Sequence, residues 1–326
     1  MFLGYNTYGL AHHDLFDAVS LLADIGYRGV AITIDHNALP PGDLSMFHAG
    51  DCPNFCGDCP NFRLSENGTV PLGESGGRIK SAEQIAQLRD MLKTLAMRSV
   101  IETGARFLLD PRVKHEPTLL SDLRRRRIDF YKYAVDCAAA LGSDCVSLWS
   151  GAANTPLAAS HASPTGKDFR EQMMARLVEG LREVLDYAAA KNVIIAFEPE
   201  PGMFIDTMSA FEELLAQIDG PNLRLTLDIG HLQCQGELPI AEVIRRWSPR
   251  LANVHIEDMR RGVHEHLMFG EGEIDFPPVL QALADVNYSG GLYVELSRHS
   301  HAGPAKALQA FQWMERLWNG RAENRE

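Results

Sequence analysis

Short apolar runs alternate along the chain with longer segments in which apolar residues recur every three or four positions. Runs of the first type are typical of buried strands, and segments of the second type are typical of helices with one buried face. The pattern predicts eight strands, at positions 2–7, 29–34, 99–102, 145–149, 193–198, 223–228, 251–256 and 291–295. Because a predicted helix follows each strand, we predict a parallel sheet that closes into a single (β/α)8 barrel domain over residues 1–326.

Capping residues predict where several helices begin and end. Asp14 precedes the first helix and Gly26 ends it, and another helix is predicted to begin near Ser121. The longest helix, at about 167–190, carries a row of apolar residues on one face, namely Met173, Leu177, Leu181 and Val184. This spacing predicts burial of that face against the sheet.

A long irregular insertion interrupts the alternation after the second strand, at about 35–80. It contains Cys52, Cys56 and Cys59 in a C-x3-C-x2-C arrangement. Radical S-adenosylmethionine enzymes use this spacing to hold an iron–sulfur cluster, although they place it after the first barrel strand. Two alternatives stay open: a zinc site completed by His48 or Asp51, and three thiols without a ligand.

Composition and charge restrict the class of protein. The 326 residues are 45% hydrophobic, and no apolar run approaches the roughly 20 residues that a membrane-spanning helix needs. Since 43 acidic residues outnumber 31 Lys and Arg, giving a net charge of −12, we expect neither a nucleic-acid nor a membrane partner. The dense basic run at 124–127 is predicted to be a solvated helix face.

The N-terminus has no pattern of a secretory signal, which favours a cytoplasmic protein with reduced cysteines. Outside the insertion, three cysteines stand in apolar or nearly apolar settings and are predicted to be small core residues: Cys137, Cys145 and Cys234.

Four successive strand ends carry residues that are able to bind a metal: Glu198, Asp228, His255 and Glu295. The carboxyl ends of barrel strands meet at one mouth, so these side chains are predicted to converge on a single divalent cation. Three carboxylates and one imidazole suit Mn²⁺, Mg²⁺ or Co²⁺, with Zn²⁺ as an alternative.

The segments around these strand ends resemble the sugar phosphate isomerase/epimerase family with the xylose isomerase-like barrel. They are FEPEPG at 197–202, LDIGH at 227–231, NVHIED at 253–258, HEH at 264–266, GEGEIDF at 270–276 and YVE at 293–295. The resemblance implies that the four residues bind the metal, and that Glu198 and Glu295 also exchange protons with a substrate carbon. It also implies a homodimer or larger assembly.

The predicted reaction is isomerisation or epimerisation of a small keto sugar or related polyhydroxy carbonyl compound. A divalent ion that bridges a carbonyl and a neighbouring hydroxyl acidifies the C–H between them and stabilises an enediolate. One glutamate then removes the proton and the other returns it.

Six further residues near the predicted mouth are candidates for contact with substrate: His231, Glu200, His264, His266, Glu102 and Trp149. Alternation places Glu200 with Glu198, and His264 with His266. For Glu200 a surface salt bridge, and for Trp149 a packing role, are equally open. Asn6 and His36 stand at the ends of the first two strands, and the loop at 106–115 holds a cationic group that either receives a substrate anion or is solvated.

Two other activities use the same residues. A lyase or dehydratase acting on a keto sugar or cyclitol expels a hydroxyl from the same enediolate. A multi-metal endonuclease of the same barrel class needs a basic groove, which the net charge of −12 opposes. A binding protein without proton exchange is the alternative that is not an enzyme.

Overall fold

The computed structural model describes residues 1–35, 39, 82–153 and 166–323. Eight parallel strands of these residues close into a barrel in which each strand pairs with its neighbours along the chain and the last pairs with the first. The barrel strands are β1 (Phe2–Asn6), β2 (Gly29–Thr33), β3 (Arg98–Glu102), β4 (Val146–Leu148), β5 (Ile195–Phe197), β6 (Leu223–Asp228), β7 (Leu251–Ile256) and β10 (Gly291–Val294). The predicted (β/α)8 barrel is therefore confirmed.

Helices surround this barrel: α1 (Leu15–Ile25), α2 (Ala82–Thr94), α3 (Arg124–Leu141), α4 (Gly166–Ala189), α5 (Met208–Leu215), α6 (Ile229–Gln235), α7 (Ile240–Trp247), α8 (Phe276–Asp285) and α9 (Gly303–Glu323). The carboxylate of Asp14 accepts a hydrogen bond from the Phe16 amide at 2.9 Å, which is the predicted cap of α1. Helix α3 begins three residues later than predicted, because Ser121 closes a turn by donating its amide to the Thr118 carbonyl. Among the described residues, no helix has the length and apolar character needed to cross a bilayer.

The Tyr293 ring fills the interior of the barrel near the amino-terminal ends of the strands. Its side chain is almost completely buried and packs across the barrel against residues of β2, β3 and β5, namely Ala31, Val100 and Ala196. A β-carbon on Gly4 would lie only 2.3 Å from this ring, so the absence of a side chain on β1 makes room for it. The apolar floor leaves the opposite end of the barrel for polar side chains.

A two-stranded antiparallel hairpin follows β7 and consists of β8 (Asp258–Arg260) and β9 (Val263–Leu267). The Asp258 carboxylate anchors it by accepting hydrogen bonds from the amides of Met259, Gly270 and Ile274 at 2.8 to 3.1 Å. The hairpin thereby fixes the position of His264 and His266, which both lie on β9.

The prediction that the basic run at 124–127 forms a solvated face is wrong for Arg127, which is completely buried. Its guanidinium donates hydrogen bonds to the carbonyls of Pro117 and His115 at 2.8 Å and of Thr103 at 3.4 Å. Four consecutive arginines point in four directions around a helix, and the last of them faces the loop after β3. Arg127 therefore fastens this loop to α3.

We predict that Arg127→Met lowers the free energy of unfolding by about 2–4 kcal/mol, because it leaves buried carbonyls without donors. Urea denaturation measures the change. Arg125→Met is the matched control, since Arg125 is exposed and its ion pairs with Asp129 and Glu183 are worth less than about 1 kcal/mol. Equal losses in the two variants would contradict a special role of Arg127.

Candidate metal and substrate site

A cavity of about 480 Å³ opens at the carboxyl ends of the barrel strands. Nine of the ten site residues predicted within the described ranges line it: Glu102, Trp149, Glu198, Glu200, His231, His255, His264, His266 and Glu295. The tenth, Asp228, is 3% exposed, and its Oδ2 lies 3.6 Å from Nε2 of His231, which lines the cavity. Cys52, Cys56, Cys59 and His36 lie outside the described residues.

The imidazole of His255 is the centre of the predicted metal-binding set. Its Nδ1 lies 3.2 Å from Glu198 Oε1, 3.4 Å from Glu295 Oε2 and 3.8 Å from Asp228 Oδ2. The strand ends thus bring three carboxylates to one nitrogen, although these residues are up to 97 positions apart in the chain. Ligand atoms of Glu198, Asp228 and His255 all lie within 4.8 Å of one another, a spacing that is able to hold a metal ion.

Glu102 orients the His255 ring from the opposite side. Glu102 Oε1 lies 2.9 Å from His255 Nε2 and also accepts a hydrogen bond from Asn253 Nδ2 at 3.0 Å. With Nε2 protonated toward Glu102, Nδ1 is the nitrogen that remains for a cation, either a proton or a metal ion, among the other three carboxylates. Glu102 was predicted to contact substrate. Its carboxylate lines the cavity, but it also forms a hydrogen bond with His255, a candidate metal ligand.

Burial of these charges perturbs their protonation. Burial raises the pKa of Glu198 to about 7, with the Asp228 and Glu102 charges adding to the increase and His255 opposing it. Burial also favours protonation of Asp228, but the neighbouring histidines hold its pKa below the ordinary value. Burial lowers the pKa of His255, but the charges of Glu102 and Glu198 raise it by more than burial lowers it. The net result is a pKa well above the usual value. Three carboxylates around one nitrogen favour a positive charge between them.

Asn6 determines the orientation of Glu295. The Tyr8 backbone amide, which can only donate, donates to Asn6 Oδ1 at 3.0 Å and so identifies that atom as the acceptor, and the Thr33 hydroxyl donates to the same atom at 2.8 Å. The amide nitrogen of Asn6 therefore faces Glu295 Oε2, to which it donates at 3.1 Å. This contact joins the first and last strands of the barrel at the site.

Three histidine rings form a second group at one side of the cavity. His231 Nε2 lies 3.1 Å from His264 Nε2, and the His266 ring lies 5.8 Å and 5.3 Å from the rings of His231 and His264. Their nitrogens are also close enough to hold a metal ion. Asp228 Oδ1 accepts a hydrogen bond from the His231 amide at 2.8 Å, so Asp228 links this group to the first one.

Glu257 is a site residue that the sequence reasoning missed. It is completely buried, and its Oε1 lies 3.6 Å from His266 Nδ1. Neither carboxylate oxygen has a hydrogen-bond partner among the described residues. Its position two residues after His255 in the extended chain is the signal that would have found it. Burial raises the pKa of Glu257 well above its usual range.

The other predicted positions divide between the cavity and the core. Trp149 lines the cavity and lies under the Arg127 guanidinium, whose carbon is 5.0 Å from the ring centre. It therefore packs against α3, and its role as a wall for the substrate stays a prediction. Cys137, Cys145 and Cys234 are buried free thiols, as predicted.

Residues 81–317 match the family model of the xylose isomerase-like TIM barrel, and the chain belongs to this family. An inosose dehydratase from Clostridium botulinum (strain Eklund 17B / Type B) is 30% identical over 144 residues, which cover 39% of this chain and 48% of that protein. The chain thus spans about half the length of the curated relatives it matches.

Solved structures share the fold over nearly the whole chain. A D-tagatose 3-epimerase-like protein aligns over 100% of both chains with a TM-score of 0.69 and 17% identity. The IOLI protein with a bound zinc atom aligns over 97% of this chain and 98% of its own, with a TM-score of 0.64 and 17% identity. At this level of identity the likeness establishes the barrel fold.

We predict that Gly230→Ala destabilises the site, because the added β-carbon would lie 2.0 Å from Glu257 Oε1. The expected loss in the free energy of unfolding is about 1–3 kcal/mol, typical of overpacking. Thermal denaturation monitored by circular dichroism measures it. Gly220→Ala is the control, since its nearest contact is an ordinary 3.4 Å. Unchanged stability of Gly230→Ala would show that Glu257 moves freely.

Proposed function

We propose that the protein is a divalent-metal-dependent enzyme that isomerises or epimerises a small keto sugar or related polyhydroxy carbonyl compound. The observation that carries the proposal is the convergence of three carboxylates on His255 Nδ1 within 3.8 Å, at the bottom of a cavity. Buried like charges at this separation need a cation between them.

The donor set fits a metal ion. Asp228 Oδ2 is buried and has no hydrogen-bond partner among the described residues, which leaves it available as a ligand. Glu198, Asp228, His255 and Glu295 would hold the ion, with Glu102 fixing the tautomer of His255. Three oxygen donors and one nitrogen suit Mn²⁺, Mg²⁺ or Co²⁺, and Zn²⁺ is the alternative supported by the zinc-bound structural relative.

A bound divalent cation supplies Lewis-acid polarisation of the substrate carbonyl. In the proposed reaction Glu198 removes the proton from the neighbouring carbon and Glu295 returns one, and the roles reverse in the opposite direction. Asn6 holds the Glu295 carboxylate in place through its amide. Return to the opposite face of the same carbon gives epimerisation. Return to the adjacent carbon, with transfer of the hydroxyl proton to the former carbonyl oxygen, gives isomerisation.

The remaining cavity residues bind and orient the substrate. The rings of His231, His264 and His266 and the carboxyl group of Glu200 face the cavity and suit hydrogen bonding to sugar hydroxyls. Trp149 offers an apolar wall to the C–H face of the sugar. In this arrangement the three histidines and Glu200 surround the substrate hydroxyls, and the Trp149 ring lies beside the sugar.

Dehydration of a keto cyclitol is the second candidate, and the inosose dehydratase relative favours it. The first step is the same proton removal. The outcomes differ only in whether a group such as His266 protonates a departing hydroxyl before the carbon is reprotonated. A cytoplasmic location and a homodimer stay predictions from the sequence and the family resemblance.

The wild-type protein and its variants are treated with a chelator, reloaded with Mn²⁺ and passed through a desalting column. We predict that the wild type retains the metal and that Asp228→Asn retains about one equivalent less than the wild type. Inductively coupled plasma mass spectrometry measures the stoichiometry. Glu271→Gln, which changes an exposed carboxylate, is the control and keeps the wild-type value. Equal metal content in all three proteins would refute the proposed ligand set.

We predict that the metal-loaded protein incorporates solvent deuterium into at least one member of a panel of ketoses and inososes. Replacement of either proton-transfer group, in Glu198→Gln or Glu295→Gln, lowers the exchange rate by about 10²–10⁴-fold. Proton NMR follows the exchange, and a new vinylic signal or loss of water identifies dehydration. Full exchange in both variants would exclude the proposed proton-transfer pair.

A further inference from the structure

Among the described residues, three cationic side chains border the mouth of the cavity: Arg106, Lys114 and Arg298. Arg106 and Lys114 belong to the loop after β3, and Arg298 follows the last barrel strand. They line the same cavity as the metal-ligand candidates, in a chain whose net charge is −12. The positive rim therefore opposes the overall charge of the protein and is a local feature of the site.

The loop that carries two of these cations is held in a defined shape. The His115 amide donates to the Arg106 carbonyl at 2.6 Å, which closes the segment between them. Buried Arg127 holds the His115 carbonyl at 2.8 Å. The guanidinium carbon of Arg106 lies 4.0 Å from the centre of the Tyr8 ring. These contacts hold the loop, and with it Arg106 and Lys114, in one conformation before any ligand binds.

The three positive charges are close enough to affect one another. Burial lowers the pKa of Lys114, and the charges of Arg106 and Arg298 lower it further, while Glu200 across the cavity has the opposite effect. The Lys114 ammonium has no hydrogen bond or ion pair with the residues that the structure describes. Arg298 contacts Glu265 at 3.3 Å, but this pair is exposed to solvent. An anion at the rim would relieve the repulsion.

We propose that the rim formed by Arg106, Lys114 and Arg298 binds an anionic group, a phosphate monoester or a carboxylate, at the end of the substrate remote from the reacting carbonyl. This inference rests on the proposed function and specifies its substrate class. Inosose and D-tagatose carry no anionic group, so the preferred substrate differs from the compounds in the names of the relatives. Arginine and lysine are the side chains that bind such groups by charge-assisted hydrogen bonds.

Isothermal titration calorimetry on the Mn²⁺-loaded protein tests the proposal with three matched probes: D-tagatose, D-tagatose 6-phosphate and D-tagaturonate. At least one anionic probe is expected to bind about tenfold more tightly than D-tagatose. The phosphate and carboxylate arms then distinguish the two kinds of anion. Lys114→Gln and Arg298→Gln are each expected to reduce this preference at least about fivefold, with little change for D-tagatose.

Arg112→Gln is the matched control. Arg112 lies two residues from Lys114, pairs with Asp110 at 3.6 Å and is not among the residues that line the cavity. It is expected to keep the wild-type preference. Equal affinities for the three probes, no binding of either anionic probe, or an equal loss in Arg112→Gln would each overturn the proposal.

The result is separable from that of the proposed function. Loss of anion preference in Lys114→Gln, together with no deuterium exchange by the wild type on either the neutral panel or the anionic probe that it binds, supports the anion site and removes the proposed reaction. Deuterium exchange without any anion preference leaves the reaction in place and removes the anion site.

Discussion

Crowding of buried carboxylates around one imidazole is the constraint on which the rest of the site depends. Glu102 contacts one nitrogen of His255, while Glu198, Asp228 and Glu295 lie within 3.8 Å of the other. Removal of these charges from water is costly, and their mutual repulsion adds to the cost. Such an arrangement is stable only if a positive charge lies among them and if the barrel prevents them from moving apart.

The barrel meets this requirement because its interior changes from apolar to polar along the strands. Tyr293 and small residues fill the floor, and a middle layer of hydrogen-bonded polar groups lies above it, with the Ser147 and Thr226 hydroxyls 2.9 Å apart. Asn253 in the same region donates to Glu102. The carboxylates thus rest on a packed support, which limits their movement and keeps the pocket geometry ready for a ligand.

The loop after β3 connects the stability of the fold with the shape of the cavity mouth. Arg127 is buried without a carboxylate partner among the described residues, and it uses its donors on the backbone carbonyls of that loop. The same guanidinium lies over Trp149, which lines the cavity. One side chain on α3 therefore supports both the aromatic wall and the segment that carries Arg106 and Lys114.

The sequence by itself determined the barrel and most of the residues that meet at its carboxyl end, because both depend on local patterns. Apolar runs mark the strands, and polar residues at their carboxyl ends must meet at one mouth once the strands are parallel. Only the tertiary structure decided which nitrogen of His255 faces Glu102, a residue 153 positions away, and that Arg127 turns inward while Arg125 stays in solvent. It also decided that Glu257 reaches His266. These contacts depend on strand register, barrel closure and the packing of α3 against a loop, which couple distant residues. The spacing of Glu257 from His255 indicates that both side chains face one side of the strand, but it does not indicate which residue either one contacts.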